Sequence, residues 1–187
     1  HTMADSALTK RVLADALKEL MQKTPLNKIS VGDITALCGI NRQTFYYHFK
    51  DKYDLVGWIY STETQEFMGR LFDSDHWADS FCDLCLYMQK NKKFYINALS
   101  APGQNSFEDY LIHSMRDLII NLIHEKSLGA QIAEETKTFI ADFCTYAFVG
   151  LILKWARNGM KEDPREYINR IKELIDSSML RELDKYF

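Results

Sequence analysis

A glycine at position 39 separates two short runs of helical spacing, and this punctuation constrains the chain more than any other feature. The stretch is SVGDITALCGINRQTFYYHFKDK, Ser30 to Lys52. Ser30 suits an N-cap, because its hydroxyl can accept a backbone N–H of the first turn. Asp33 is short for the reciprocal partner of a capping box, but its charge suits a helix N-terminus. Val31, Ile34, Leu37 and Cys38 then give an apolar stripe at helical spacing. Gly39 allows the left-handed backbone that ends a helix, and Ile40 returns the chain to the core. Asn41 is a good cap for a second helix running from Arg42 to Phe49.

That second helix divides by angle. Phe45 and Phe49 lie one turn apart and face the core. At about 100° per residue, Gln43 and Tyr47 then point away from it, with Thr44 and Tyr46 on the flanks. The outer face offers amide, hydroxyl and phenol groups and no charge that repels phosphate. Arg42 stands at the N-terminal end. Helix, glycine turn, helix within about twenty residues is the helix-turn-helix pattern. The same residues would also suit a plain helical hairpin with two exposed tyrosines.

Charge is distributed unevenly. Residues 1–57 hold eight Lys/Arg against six Asp/Glu, a balance of +2, while the rest holds fifteen against twenty, a balance of −5. A mildly basic front on an acidic body suits a module that concentrates polyanion contacts locally. Hydrophobic content of 47% with 13% aromatics excludes a disordered chain. The N-terminus shows no basic-then-apolar leader, and His1-Thr2-Met3 reads as an added remnant ahead of the natural start. The most apolar uncharged run, Phe143 to Leu153, is short of the roughly 20 residues that span a bilayer. Four cysteines without a leader imply reduced thiols in a cytoplasm, with no membrane partner.

In chain order, residues 8–23 read as a first helix with a stripe of Val12, Leu13, Ala16, Leu17, Leu20 and Met21, and Thr9 as its cap. Pro25 stops it. Asp51 caps a helix to about Arg70, packed through Leu55, Ile59 and Thr62 or Phe67. Trp77, Phe81, Leu84 and Met88 stripe the next helix, which Asn91-Lys92-Lys93 ends, and Tyr95–Leu99 is a short helical piece. Cys82 and Cys85 form a C-x-x-C without a second pair or a preceding strand, so they read as core thiols rather than ligands. Ser106 caps a helix to about Lys126 with Leu111, Met115, Leu118, Ile119, Leu122 and Ile123 inside. His113 and His124 on it have no ligand partner at i+4. Glu134 to Gly159 is apolar nearly all round between Phe143 and Leu153, so it needs cover on two sides. Asp163 caps and Pro164 opens a last helix to Phe187. The fold class is therefore all-α: a three-helix helix-turn-helix domain over 4–52, then a helical-bundle regulatory and dimerisation domain over 53–187.

Thr44-Phe45-Tyr46-Tyr47-His48-Phe49-Lys50-Asp51-Lys52-Tyr53-Asp54-Leu55 resembles the signature of the tetracycline-repressor (TetR) family of transcriptional regulators. Ile34, Gly39, Ile40, Thr44, Tyr46, His48, Phe49, Lys52 and Leu55 fall where that pattern expects them. The resemblance implies that Arg42, Gln43, Thr44, Tyr46, Tyr47 and His48 contact bases or phosphates. It implies that Ser30 and Val31 meet the backbone and that Lys52 holds a phosphate. Gly32 departs from the pattern, standing where some relatives carry a basic base-reading side chain. The family also pairs the last two long helices of each subunit, which here implicates Phe143, Ala147, Gly150, Leu151, Ile171, Ile175 and Met179 in a homodimer interface.

Within the body, Asn91-Lys92-Lys93-Phe94-Tyr95, Ser106-Phe107, Gly150, Trp155 and Asn158-Gly159-Met160 resemble the branch that activates dihydroxyacetone-kinase operons. That branch implies activation, with the signal arriving through a kinase-like coactivator protein. The other reading is a repressor that binds a small molecule in its body, where Trp77, Phe81, Phe94, Tyr95, Phe107, Tyr110, Phe139 and Phe143 could line a pocket or simply pack. No catalytic residue, cofactor or metal is implied. Glycine-rich phosphate loops, H-E-x-x-H and G-x-S-x-G are all missing from the sequence, which disfavours an enzyme. The expected partner is a palindromic double-stranded operator. The remaining alternative is a helical protein-binding module that no longer reads DNA.

Overall fold

The computed structural model describes residues 3–70, 76–101, 107–126 and 131–174. They form nine α-helices and one 3-10 turn, with no strand among the described residues. The helices are α1 Met3–Met21, α2 Val31–Cys38, α3 Arg42–His48, α4 Lys52–Arg70, α5 Trp77–Lys90, α6 Lys92–Ser100, α7 Phe107–Lys126, α8 Glu134–Arg157 and α9 Pro164–Leu174. Ser106, Ile175 and Met179 lie outside the described residues, as does the expected last helix beyond residue 174. The chain groups into two compact units, His1–Glu63 with Asn91–Tyr110, and Thr64–Lys90 with Leu111–Phe187. The functional division expected at residue 52 falls inside the first unit.

In the first unit, α1 begins five residues before the expected start. Thr9 is interior to it, its hydroxyl donating to the Asp5 carbonyl at 2.9 Å, and it caps nothing. Leu13, Leu17 and Met21 of α1 are buried with Leu26, Ile29, Ile34, Phe45 and Phe49 in one small core. Leu55, Val56, Ile59 and Tyr60 of α4 are also buried, and the stripe continues to Thr64 while Thr62 is exposed. α6 opens three residues earlier than expected, because Asn91 alone separates it from α5. Its Tyr95 joins Tyr60, Phe107 and Tyr110 in an aromatic cluster with neighbouring ring centres 5.1–6.4 Å apart.

The second unit holds α5 against α9. Phe81, Leu84 and Met88 of α5 are buried, as are Ile168 and Ile171 of α9. Cys85 is buried and Cys82 half-buried. On α8, one side is interior through Ile140, Ala141, Thr145, Val149, Ile152 and Trp155. The other side is open. Phe139, Phe143 and Tyr146 are 70%, 50% and 64% exposed, Ala147 is exposed, and a β-carbon on Gly150 would meet nothing within 4 Å. Leu151 is half-buried. Ile171 departs from its expected interface role, because its side chain is already buried in its own chain. Among the described residues, α8 is also the one helix long and apolar enough to cross a membrane by length and composition.

Candidate nucleic-acid interface

Local caps set the frame of the interface. Ser30 is extended at φ −94°, ψ 161°, which brings its backbone N–H within reach of the residue three positions on. The Asp33 carboxylate therefore accepts both the Ser30 N–H at 2.8 Å and the Ser30 hydroxyl at 2.7 Å, while the Asp33 N–H donates to Ser30 Oγ at 3.0 Å. This is a full capping box, and the shorter aspartate closes it where only its charge was expected to help. The two hydrogen bonds from Ser30 hold the Asp33 carboxyl below its ordinary value, with the charges of Arg42 and Lys52 acting the same way. α2 is rotated from the expected stripe. Ile34 and Thr35 are buried and Leu37 is 45% exposed, because the Thr35 hydroxyl satisfies itself on the Val31 carbonyl at 3.0 Å.

Gly39 ends α2 at φ +70°, ψ +21°, a left-handed conformation that a side chain would strain. Asn41 then starts α3 by accepting the Thr44 N–H at 2.7 Å. Phe45 and Phe49 anchor α3, at 0% and 3% exposure, and their rings meet at 5.9 Å. The anchoring leaves Tyr47 82% and Tyr46 56% exposed, with Arg42 and Gln43 also exposed and Thr44 half-buried. Ser30 is exposed and Val31 half-buried at the start of α2. A groove of about 530 Å³ runs between Ser6 and Thr9 of α1 and Gln43, Thr44 and Tyr47 of α3. α3 thus presents a rigid polar and aromatic ridge held from below by two phenylalanines.

His48 is half-buried, edge-on to Tyr47 at 5.0 Å. Burial first, and then the charge of Lys10, hold its imidazole below the ordinary value, so it is neutral at pH 7. A phosphate facing the ring would favour the charged form. Duplex affinity is therefore expected to rise as pH falls through the DNA-bound pKa and to level off below the lowered free one, by tenfold in total for each unit that separates them. Titrating affinity against pH for the wild type and His48→Gln checks this, and identical profiles would remove His48 from the interface.

Lys52 differs from its expected role. Its ammonium donates to the carbonyls of Leu26 at 2.7 Å, Asn27 at 3.2 Å and Ile29 at 2.7 Å. All three ammonium donors are thereby engaged within the protein, and burial lowers the pKa of the group despite Asp33 and Asp51 nearby. In this structure Lys52 ties down the segment that leads into α2. Asn97 of α6 grips the same segment from another side, its amide donating to the Met21 and Thr24 carbonyls at 3.0 and 2.8 Å and accepting the Leu26 N–H at 2.8 Å. Sequence reasoning missed Asn97, whose only signal is a polar residue between Phe94-Tyr95-Ile96 and Ala98-Leu99.

Comparison with known proteins agrees with this arrangement. Residues 13–57 match the family model of bacterial regulatory proteins, tetR family, and residues 75–177 match that of a transcriptional regulator C-terminal region. The chain is 30% identical over 146 residues to the HTH-type dhaKLM operon transcriptional activator DhaS of Lactococcus lactis subsp. lactis, a match covering 77% of this chain and 75% of that protein. Among solved structures it is similar to a dihydroxyacetone kinase operon activator DhaS, with TM-score 0.65, 23% identity, and coverage of 96% of this chain and 98% of that one. It is also similar to Thermus thermophilus FadR, a TetR-family transcriptional repressor in complex with lauroyl-CoA, with TM-score 0.65, 14% identity, and coverage of 91% and 95%. The chain belongs to the tetR family of bacterial regulatory proteins: it is a DNA-binding transcriptional regulator and not an enzyme.

Proposed function

We propose that the protein acts as a homodimer on a palindromic operator, one α3 per half-site, and activates a dihydroxyacetone-kinase operon. The observation that carries the DNA reading is the α3 ridge, where two buried phenylalanines force Gln43, Tyr46 and Tyr47 outward beside Arg42 and Thr44. Two-fold symmetry in the protein matches a two-fold repeat in the DNA. The open aromatic side of α8, with Phe143, Ala147 and Gly150 on it, supports a dimer, since patches of this kind mark contact surfaces. Activation is supported by the DhaS relative, whose name places it on the dhaKLM operon. In this reading the signal comes through a kinase-like coactivator protein and not through a directly bound effector.

Selection from a random duplex library tests the proposal. An inverted repeat is expected among the retained sequences, and sequence-blind retention would contradict the operator reading. Tyr47→Ala and Thr44→Ala are each expected to weaken binding to that repeat about tenfold or more, with the melting temperature held, because neither side chain builds the core. Unchanged affinity in both would refute the assigned face.

One observation favours a second reading. The Thr145 hydroxyl on α8 is fully buried and has no hydrogen-bond partner among the described residues. Such an atom suits a polar effector bound in the C-terminal unit of a small-molecule-responsive repressor. Thermal shift separates the two: clear stabilisation by dihydroxyacetone alone would count against the coactivator route.

A further inference from the structure

Gly32 is the second residue of α2, and its backbone is not in the left-handed region that requires glycine. In the interior of a helix an alanine would serve stability better. What the glycine gives is space. A β-carbon there would stand 2.3 Å from Nη2 of Arg42, 3.1 Å from its Cζ and 3.2 Å from its Nε. The guanidinium thus occupies the space a side chain at Gly32 would take, with Nη2 nearest. Arg42 opens α3, yet its side chain reaches the second residue of α2.

We propose that Gly32 and Arg42 work as one device, in which the missing side chain of Gly32 seats the Arg42 guanidinium on α2 so that it grips a DNA backbone phosphate and does not read a base. In helix-turn-helix docking the first helix crosses the backbone while the N-terminal residues of the second reach base edges. A guanidinium resting on α2 therefore travels with the backbone-crossing helix, although its residue belongs to the reading helix. Its planar fork of donors matches the oxygens of a phosphate. The capping box keeps the Asp33 oxygens on Ser30, and the Arg42 charge is near enough to help hold the Asp33 carboxyl below its ordinary value. Seated this way, Arg42 adds grip without sequence preference, and Gly32 decides where that grip falls.

This inference rests on the DNA-facing reading of α3, and the test separates the two. Affinity would be measured across a series of KCl concentrations for a duplex recovered by selection and for a scrambled duplex of equal length. Arg42→Ala is expected to reduce the slope of log affinity against log salt by about 1.8 on both, because the dimer loses one contact per half-site, worth about sixtyfold between 1 M and 0.1 M salt. The ratio of the two affinities should hold. Gly32→Leu should reproduce that loss, Gly32→Ala should give part of it, and Gly32→Leu with Arg42→Ala should lose no more than Arg42→Ala alone. Both glycine variants should melt at or above the wild-type temperature, which separates a displaced guanidinium from a damaged fold. A wild-type slope in Gly32→Leu would overturn the device. So would a changed affinity ratio with an unchanged slope in Arg42→Ala, since that marks a base contact. With Tyr47→Ala as control, weakening by it but not by Arg42→Ala sinks the device alone. Full affinity in both would sink the DNA-facing reading itself.

Discussion

Asn97→Leu is expected to destabilise the protein by about 3 kcal/mol and to lower its melting temperature by about 9 °C. Leucine has the branched shape of asparagine and is larger, so no cavity opens. The loss is polar. The Leu26 N–H and the carbonyls of Met21 and Thr24 each lose a partner that now stands 2.8–3.0 Å away. An unsatisfied buried group costs about 1–3 kcal/mol, and partial access of water holds the total to the bottom of the summed range. These groups belong to the turn that leaves α1 and leads to Ser30, so duplex affinity should fall as well. A melting temperature within about 2 °C of wild type would show that water replaces the amide at no cost.

Lys52→Met is the second large effect, at about 2 kcal/mol of stability. Methionine keeps an apolar stem and removes the ammonium from the carbonyls of Leu26, Asn27 and Ile29, of which Leu26 retains the Ile29 N–H at 3.1 Å. The loss is smaller than for Asn97 because the Asn27 carbonyl is exposed. Salt dependence tells an internal tie from a phosphate contact. A tie leaves the slope of log affinity against log salt at its wild-type value while stability drops. A phosphate contact, lost once per half-site, lowers the slope by about two and spares stability.

The DNA-facing half was legible because its determinants are local. Asn41 caps within three residues, Gly39 ends a helix by its own backbone, and Phe45 and Phe49 fix the face of α3 through spacing alone. Where structure and spacing part, a residue has a competing local use or a distant partner. Leu37 lost its place in the stripe to Thr35, whose hydroxyl bonds within its own helix and so can be buried. Ile171 carries the expected apolar signal, but periodicity cannot say whether a stripe faces its own chain or another. Lys52 and Asn97 were beyond reach for a different reason. Their carbonyl partners lie 23 to 26 and 73 to 76 positions away in the chain, and no composition or spacing announces a side chain that bonds a distant turn.

The cysteine pair of α5 carries a last consequence. Burial pushes the Cys85 thiol up to about 12 and also raises Cys82 and, on α8, Cys144. Only a thiolate attacks a peroxide or a disulfide at a useful rate. At neutral pH these three sulfurs are held protonated, so a C-x-x-C that in another setting would sense oxidants is chemically silent in this one. An oxidant pulse at neutral pH is therefore expected to leave Cys82, Cys85 and Cys144 as free thiols, which mass spectrometry after alkylation would show.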